Sequence, residues 1–310
     1  MKTVKYTHNF LHKYMQNLQR GRMKYIFLNL KRFDVTKENG GVNALSVPEN
    51  WGAYIATGLQ SYISKRRDLQ ENYEFSVFFP EAHIISAAKA LSSQKNQENK
   101  GLQLGCQSVY HQDVATGGNF GAFTTLRTAK SMKQLGCTWT IIGHSEERKA
   151  LREIMNLAGA TPENITKAIH TILNKEIQQA QNAGLKVLYC IGESQEEVPY
   201  RLDVLKNQIE AGLEQIDASS VVLGYEPLWA IGPGKIPPTA EEIASIVKGI
   251  KTFCPCPVVY GGGLKKDNAE SIGSITELDG GLIALTRFSG DIGFYPEEYA
   301  EIVEKYVTGL

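Results

Sequence analysis

The chain has 310 residues, 42% of them hydrophobic and 21% charged, an ordinary globular composition with enough length for one large core or two modest domains. Lys plus Arg and Asp plus Glu both number 33, so no overall field favours nucleic acid or an anionic membrane as a partner. An anionic ligand must then be held by local groups, and we expect a small-molecule site.

Cysteine usage and hydropathy predict a cytoplasmic protein. The five cysteines form an odd set without CxxC spacing, so neither a disulfide framework nor a zinc site is indicated. No apolar run approaches the roughly 18 residues that a membrane-spanning helix requires. Residues 1–22 carry five basic and no acidic side chains, as organelle-targeting leaders do, but we favour a disordered N-terminal extension.

Eight short apolar or β-branched runs recur along the chain, each followed by a helical stretch. Strands that are almost continuously apolar, alternating with amphipathic helices, indicate a parallel sheet covered on both faces. Eight such units favour an α/β fold with a single closed (β/α)8 barrel over residues 23–310, and an open doubly wound sheet is the alternative. The strand runs are 25–30, 75–79, 102–108, 138–143, 186–192, 220–226, 257–262 and 281–285. The helix candidates are 49–66, 163–183, 195–216, 239–252 and 296–307.

Two connections are unusually long and rich in Gly and Asn: 33–48 after the first strand and 109–122 after the third. In a barrel, loops that follow strands lie at the C-terminal face, where active sites are built. We therefore expect extended loops after strands 1 and 3 beside the candidate site.

Polar residues close the first strand. Asn29 and Lys31 are two positions apart, so their side chains share one face of the strand and are predicted to point into the barrel mouth. A lysine in that position needs an anion. The alternative is a strand-end lysine whose ammonium group simply extends into water.

A histidine follows the fourth strand. His144 comes directly before Ser145, Glu146 and Glu147, which are typical of the acidic first turn of a helix. An imidazole at a helix N-terminus is disfavoured as a cation, and a neutral imidazole can donate a hydrogen bond to a developing oxyanion. A helix-entry histidine without a chemical role is the alternative.

A glutamate ends the sixth strand. Desolvation raises the proton affinity of a carboxylate in such a place, as a general base requires, so Glu226 is the candidate catalytic base. The residues that follow predict a rigid apolar lid with short hinges: Pro227, Leu228, Trp229, Ala230, Ile231, Gly232, Pro233, Gly234 and Lys235. An apolar loop that only caps the barrel core is the alternative.

Three glycines follow the seventh strand. The backbone N–H groups of Gly261, Gly262 and Gly263 can cradle phosphate oxygens, and the loops after strands seven and eight of a barrel are a frequent phosphate site. A flexible turn is the alternative.

Together these residues resemble the triosephosphate isomerase family from about residue 23 to the C-terminus. The segments that carry the resemblance, in the family's order, are LNLK at 28–31, GAFT at 121–124, IIGHSEER at 141–148, CIGE at 190–193, GYEPLWAIGPGK at 224–235 and YGG at 260–262. The GYEPLWAIGPGK segment is the most specific of them.

The resemblance implies a TIM barrel and a definite mechanism. Glu226 would move a proton between two carbons through an enediolate while His144, Lys31 and Asn29 stabilise the oxygens. Ser145 and Glu146 would support that oxyanion site, no metal or organic cofactor would take part, and the lid would exclude water. The implied substrate is a small phosphorylated sugar.

This sequence departs from the family pattern in the phosphate loops and at the subunit interface. Gly263 replaces a serine, and Ala284 and Leu285 replace a glycine pair that would bind phosphate. Gly232 is expected to bind the phosphate with them. Arg287 is a candidate to compensate, or a solvated surface arginine. Leu126 and Glu147 stand where the family has a glutamate and an arginine that pair, so the resemblance implies a homodimer with an altered interface.

Three functions therefore remain in view. The first is triose phosphate isomerisation. The second is the same chemistry on a four-carbon or other ketose phosphate, which the two long loops and the changed phosphate loops favour. The third is a non-catalytic ligand-binding relative that kept the barrel.

Overall fold

The structure is a computed structural model that describes residues 23–93, 101–232 and 234–309. The predicted N-terminal extension, 1–22, lies outside the described residues, as does Pro233 of the predicted lid.

Eight parallel strands form a closed barrel. Each strand pairs with the next along the chain, and the eighth pairs with the first, with Tyr25 opposite Gly280. The closed barrel predicted from the sequence is therefore confirmed, and each of the eight predicted runs overlaps a strand. The strands are β1 Lys24–Asn29, β2 Tyr73–Phe79, β3 Gln103–Gln107, β4 Trp139–Ile142, β5 Lys186–Ile191, β6 Val221–Tyr225, β7 Val258–Tyr260 and β8 Gly280–Ile283.

Helices cover the outside of the barrel, and four predicted helices lie within one or two residues of their observed bounds. Among the described residues the α-helices are α1 Pro48–Lys65, α2 Glu81–Ser92, α3 Ala129–Gln134, α4 Ser145–Leu157, α5 Pro162–Asn182, α6 Arg201–Gly212, α7 Ala240–Phe253, α8 Ala269–Gly273 and α9 Pro296–Thr308.

The predicted helix 195–216 is wrong at both ends. The chain first makes a 3-10 turn, Val198–Tyr200, because Pro199 has no N–H to donate and the Glu197 carboxylate instead accepts from the Ser194 N–H at 2.7 Å. The helix then ends at Gly212, and Gln215 adopts a positive φ of 60° shortly after it.

The barrel has two apolar cores, one inside the sheet and one between the sheet and the helices. The inner core contains Phe27, Phe78, Trp139, Ile141, Leu188, Cys190, Val222, Val259 and Leu282. Gly105 makes room for it, since a Cβ there would lie 2.4 Å from the Phe78 ring. The inner side chains fill the barrel, so a ligand can reach it only at the mouth.

The long loop after β1 contacts the loop after β8. Lys37 forms an ion pair with Asp291 at 2.8 Å, and a Cβ on Gly293 would lie 3.2 Å from the Val42 carbonyl oxygen. Both loops are therefore at the C-terminal face, as predicted for the first of them, and they meet beside the end of β8.

Candidate active site

Glu226 lies at the end of β6 and is 2% exposed. Its N–H donates to the Ile191 carbonyl at 2.8 Å, which fixes the backbone across the β5–β6 edge. A Cβ on Gly261 would lie 2.9 Å from the Glu226 Cγ, and one on Gly192 only 1.9 Å from the Glu226 carbonyl oxygen. Glycine at these two positions is therefore a condition for placing this carboxylate.

The His144 imidazole and the N-terminus of α4 hold the Glu226 carboxylate. The His144 Nε2 lies 3.1 Å from Oε1, and the Ser145 N–H donates to Oε2 at 3.1 Å. The Glu146 N–H donates to the His144 Nδ1 at 3.2 Å, so Nδ1 is an acceptor and carries no proton. In this geometry the ring proton is on Nε2.

Burial raises the pKa of Glu226 above its ordinary value. The interactions with His144, the Ser145 N–H, Lys31 and Arg148 act in the opposite direction because each favours the ionised form. The carboxylate is thus a stronger base than a solvated glutamate, and it gains further basicity whenever it leaves the Ser145 N–H.

Lys31 reaches the site by a route that strand alternation did not predict. β1 ends at Asn29, and Lys31 has a left-handed φ of 43°, so the shared-face argument does not apply to this pair. The Asn29 carboxamide oxygen accepts from the Lys31 N–H at 3.0 Å and from Gln107 at 3.2 Å. The Lys31 Nζ then pairs with Glu146 at 2.7 Å, one residue beyond the helix start that holds Glu226.

The first half of the predicted lid is attached to a buried carboxylate. The Glu193 Oε1 accepts from the Tyr225 hydroxyl at 3.0 Å and from the Trp229 indole N–H at 2.9 Å. The Leu228 N–H donates to the Glu193 carbonyl at 3.1 Å, within the short 3-10 turn Leu228–Ala230. Ile231, Gly232, Gly234 and Lys235 are exposed, so the lid divides into an anchored part and an exposed tip.

The candidate phosphate loops present backbone donors without protein acceptors. Among the described residues, the N–H groups of Gly232, Gly263 and Leu285 donate to no protein atom. Gly261 differs from them, because its N–H donates to the Tyr225 carbonyl at 2.7 Å. The Gly262 N–H also donates to no described protein atom, and a Cβ on Gly262 would lie 2.2 Å from the Tyr260 hydroxyl. Ala284 directly follows β8 and is half-buried, as is Leu285.

Arg287 is occupied by another partner. Its Nε and Nη2 atoms lie 2.9 and 2.5 Å from the Glu298 Oε1, and its guanidinium carbon lies 4.0 Å from the centroid of the Tyr295 ring. An arginine engaged on both sides in this way is a structural contact between the loop after β8 and α9.

Two carboxyl groups meet behind α4. Glu147 accepts from the Gly143 N–H at 2.6 Å and faces Glu176 of α5. Burial raises the pKa of both groups, and the proximity of Glu147 raises that of Glu176 further. Burial and the neighbouring carboxyl group thus both favour the protonated form of Glu176.

Sequence reasoning missed Gln107, Glu193 and Arg148 as parts of this site. Gln107 ends β3 and binds both the Asn29 side chain and the Lys31 carbonyl, the latter at 2.8 Å. Arg148 donates to the carbonyls of Gly143 and Cys190 at 2.7 and 2.9 Å. Gln107 lies near the end of a predicted strand, and Glu193 ends the CIGE segment. A polar residue in such a position is the sequence signal that could have identified both.

Within the part of the chain that the structure describes, no three His, Cys, Asp or Glu side chains are grouped so that they could hold a metal ion. No described helix is both long and apolar enough to cross a membrane.

A closed (β/α)8 barrel with a carboxylate, an imidazole and an ammonium group together at the carboxyl ends of its strands has the architecture of a TIM-barrel enzyme. Comparison with known proteins agrees. The family model of triosephosphate isomerase matches residues 47–304. The chain belongs to the triosephosphate isomerase family.

Individual relatives agree with this assignment. The triosephosphate isomerase of Prochlorococcus marinus strain MIT 9301 is 32% identical over 258 residues, which are 82% of this chain and 95% of the relative. That of Chloroherpeton thalassium is 30% identical over 221 residues, 67% of this chain and 77% of the relative. The crystal structure of the Bartonella henselae enzyme has the same fold, with a TM-score of 0.65 at 23% identity over 91% of this chain and 98% of its own.

Because the pKa of Glu176 is raised, the free energy of unfolding should depend on pH, and a single substitution should reduce that dependence. The folded state keeps the proton at pH values where the unfolded chain has released it, so the free energy of unfolding should fall as pH rises, by about 1.4 kcal/mol per unit for one retained proton. Urea unfolding of Glu176→Gln between pH 5 and 8 should give a flatter slope than the unsubstituted chain. Glu153→Gln, which removes an exposed charge from α4, is the control for net charge; equal slopes for all three proteins would contradict the prediction.

Proposed function

We propose that this protein interconverts dihydroxyacetone phosphate and D-glyceraldehyde 3-phosphate through an enediolate, with Glu226 as the base and neutral His144 as the hydrogen-bond donor to the substrate oxygen. The observation that carries the proposal is the meeting of the Glu226 carboxylate and the His144 Nε2–H at 3.1 Å, with the tautomer set by the Glu146 N–H. A phosphorylated triose is the substrate that the family implies.

In the proposed reaction the substrate carbonyl oxygen replaces the Glu226 carboxylate as the acceptor of the His144 Nε2–H. In the structure the carboxylate occupies the Nε2–H of His144 and the N–H of Ser145. A substrate carbonyl oxygen that takes over the Nε2–H leaves the carboxylate free to move toward the adjacent carbon. Loss of the Ser145 hydrogen bond then strengthens the base at the moment when it removes the proton.

The other polar groups would stabilise the negative oxygens of the enediolate. The Lys31 ammonium is fixed by Glu146, which keeps a positive charge beside the mouth of the barrel, and Asn29 is oriented by Gln107. Such donors are already in position before the reaction, so little reorganisation is needed as charge develops. The proposed reaction needs neither a metal nor an organic cofactor.

We assign the lid role to 227–235. The Trp229 indole and the Leu228 N–H bind Glu193, whereas the tip from Ile231 onward is exposed, an arrangement suited to a loop that waits open. Gly232 and Gly234, with φ of 121° and 75°, lie in the tip and provide backbone freedom for closure. Closure would bring the free Gly232 N–H toward the anion and exclude water from the enediolate.

We further propose a homodimer in the cytoplasm, built from a domain at 23–310 with 1–22 as an extension. Its interface differs from that implied by the family because Leu126 and Glu147 cannot form the ion pair. Phe120, in the loop after β3, is 87% exposed, and Leu126 is 41% exposed, which supports apolar contact in place of that ion pair.

Removing the base should remove the activity. Glu226→Gln keeps the shape of the side chain but cannot accept the proton, and kcat should fall by about two to four orders of magnitude in a coupled isomerisation assay. Because the pKa of Glu226 is raised, kcat/KM of the unsubstituted enzyme should decline on the acid side starting above the ordinary range of a glutamate.

Glu38→Gln, a change at an exposed residue of the loop after β1, serves as the control and should retain full activity. A Glu226→Gln enzyme with an unchanged rate would end the assignment of the base. An unsubstituted chain without isomerase activity on any sugar phosphate would favour a non-catalytic barrel.

A comparison of substrates tests the length of the sugar. The half-buried Leu285 and the contact between the loops after β1 and β8 favour a second candidate function, isomerisation of a four-carbon ketose phosphate. We expect kcat/KM on D-glyceraldehyde 3-phosphate to exceed that on four-carbon sugar phosphates by at least tenfold. If kcat/KM on the four-carbon sugar phosphate equals or exceeds that on the triose phosphate, the four-carbon sugar phosphate is the substrate.

The proposed dimer can be tested at an exposed apolar side chain of the loop after β3. Sedimentation equilibrium should give the mass of two chains, and Phe120→Glu should shift that equilibrium toward the monomer because a charge would be buried without a partner. Leu157→Glu, at a position on α4 that is 90% exposed, is the matched control and should leave the mass unchanged. A single-chain mass for the unsubstituted protein would contradict the dimer.

A further inference from the structure

Three cationic side chains lie around the loops that follow β7 and β8, and two of them are already paired. Arg287 is bound to Glu298 and stacked on Tyr295, and Lys266 forms an ion pair with Glu301. Among the described residues, the Lys265 ammonium is within ion-pair distance of no carboxylate. Lys265 is therefore the cation in this group that keeps its charge available for a ligand.

The side chain of Lys265 is folded back over Gly263. Its Cε lies 3.4 Å from the position that a Cβ on Gly263 would occupy, which is the place of the serine side chain that the family has there. Asn268 holds the turn in this form, because its Nδ2 donates to the Gly263 carbonyl at 3.0 Å and its Oδ1 accepts from the Lys265 N–H at 2.8 Å. The Lys265 side chain therefore lies beside the position where the family has a serine side chain.

An aromatic ring from the next loop faces the ammonium group. The Lys265 Nζ lies 4.2 Å from the centroid of Phe288, which follows Leu285 by three residues in the loop after β8. The charge therefore lies between the two loops whose Gly263 and Leu285 N–H groups have no protein acceptor. A ring face attracts a cation weakly and offers no hydrogen-bond acceptor, so an anion can still take the Nζ donors.

We infer that Lys265 is a substrate-binding residue of this enzyme and that its ammonium group binds the phosphate of the sugar in place of the missing serine hydroxyl. The inference rests on the proposed function, since it assigns a phosphate to this end of the site. A charge-assisted hydrogen bond from an ammonium group is about twice as strong as one from a neutral donor. The Lys265 ammonium group therefore offsets weaker phosphate binding by the loops that contain Gly263 and Leu285. Phe288 positions the lysine without neutralising it.

Removal of the charge should weaken binding of the phosphate end and leave proton transfer intact. In Lys265→Met, KM for D-glyceraldehyde 3-phosphate and the inhibition constant of inorganic phosphate should both rise about tenfold. The slow isomerisation of unphosphorylated D-glyceraldehyde, which lacks the group that Lys265 binds, should keep the rate of the unsubstituted enzyme. Lys265→Arg, which retains the charge, should hold both constants within about threefold of their original values.

Lys266→Met is the matched control, because it removes the neighbouring lysine, which is already paired with Glu301. Unchanged constants in Lys265→Met, equal losses in Lys265→Arg, or equal losses in Lys266→Met would each overturn the inference. A decreased rate on unphosphorylated D-glyceraldehyde would also overturn it, since the lysine would then act on something other than phosphate.

Failure of the proposed function and failure of the Lys265 assignment give different results. If the unsubstituted chain does not isomerise trioses, the proposed function fails, and Lys265 is then tested by thermal unfolding with inorganic phosphate as the probe. Phosphate should raise the melting temperature of the unsubstituted chain and of Lys266→Met, and raise that of Lys265→Met less. Equal shifts in all three would overturn the assignment of Lys265 on its own.

Discussion

The desolvation of one carboxylate organises this end of the barrel. Glu226 is almost fully buried, and a carboxylate in such a place requires compensation by donors or loss of its charge. The compensation comes from the first turn of α4, through the Ser145 N–H and the His144 imidazole. The barrel must therefore bring the ends of β4 and β6 together across its mouth, and glycines at positions 192 and 261 are needed because any side chain there would collide with Glu226.

The same first turn of α4 links the remaining groups. The Glu146 N–H fixes the tautomer of His144, and the Glu146 side chain fixes Lys31, so one residue positions both a donor and a cation. On the opposite side, Glu193 holds the lid by its tryptophan while the tip stays exposed. Glu226, His144 and Lys31 are thus each held by contacts with neighbouring residues, and the exposed part of the predicted lid contains Ile231, Gly232, Gly234 and Lys235.

Among the described residues, the loops after β7 and β8 combine backbone N–H groups that lack protein acceptors with a lysine that is in no ion pair. Gly263 and Leu285 keep free N–H groups but supply no side-chain donor, and Arg287 is committed to Glu298. The Lys265 side chain lies over Gly263, its turn is held by Asn268, and its ammonium group faces Phe288. The loops after β1 and β8 are joined by the ion pair between Lys37 and Asp291.

Local sequence determined the strands and their order, and it singled out the residues to which the chemistry is assigned. Eight apolar runs are readable because a parallel strand is buried on both faces, and Glu226 and His144 stand out as polar residues at the ends of such runs. Tertiary structure alone decided the contacts between distant segments. Strand alternation cannot reveal that Lys31 turns through a left-handed backbone to meet Glu146, 115 positions away. Nor can composition show that Arg287 is paired and Lys265 is not, because pairing depends on how separate loops meet once the barrel has closed.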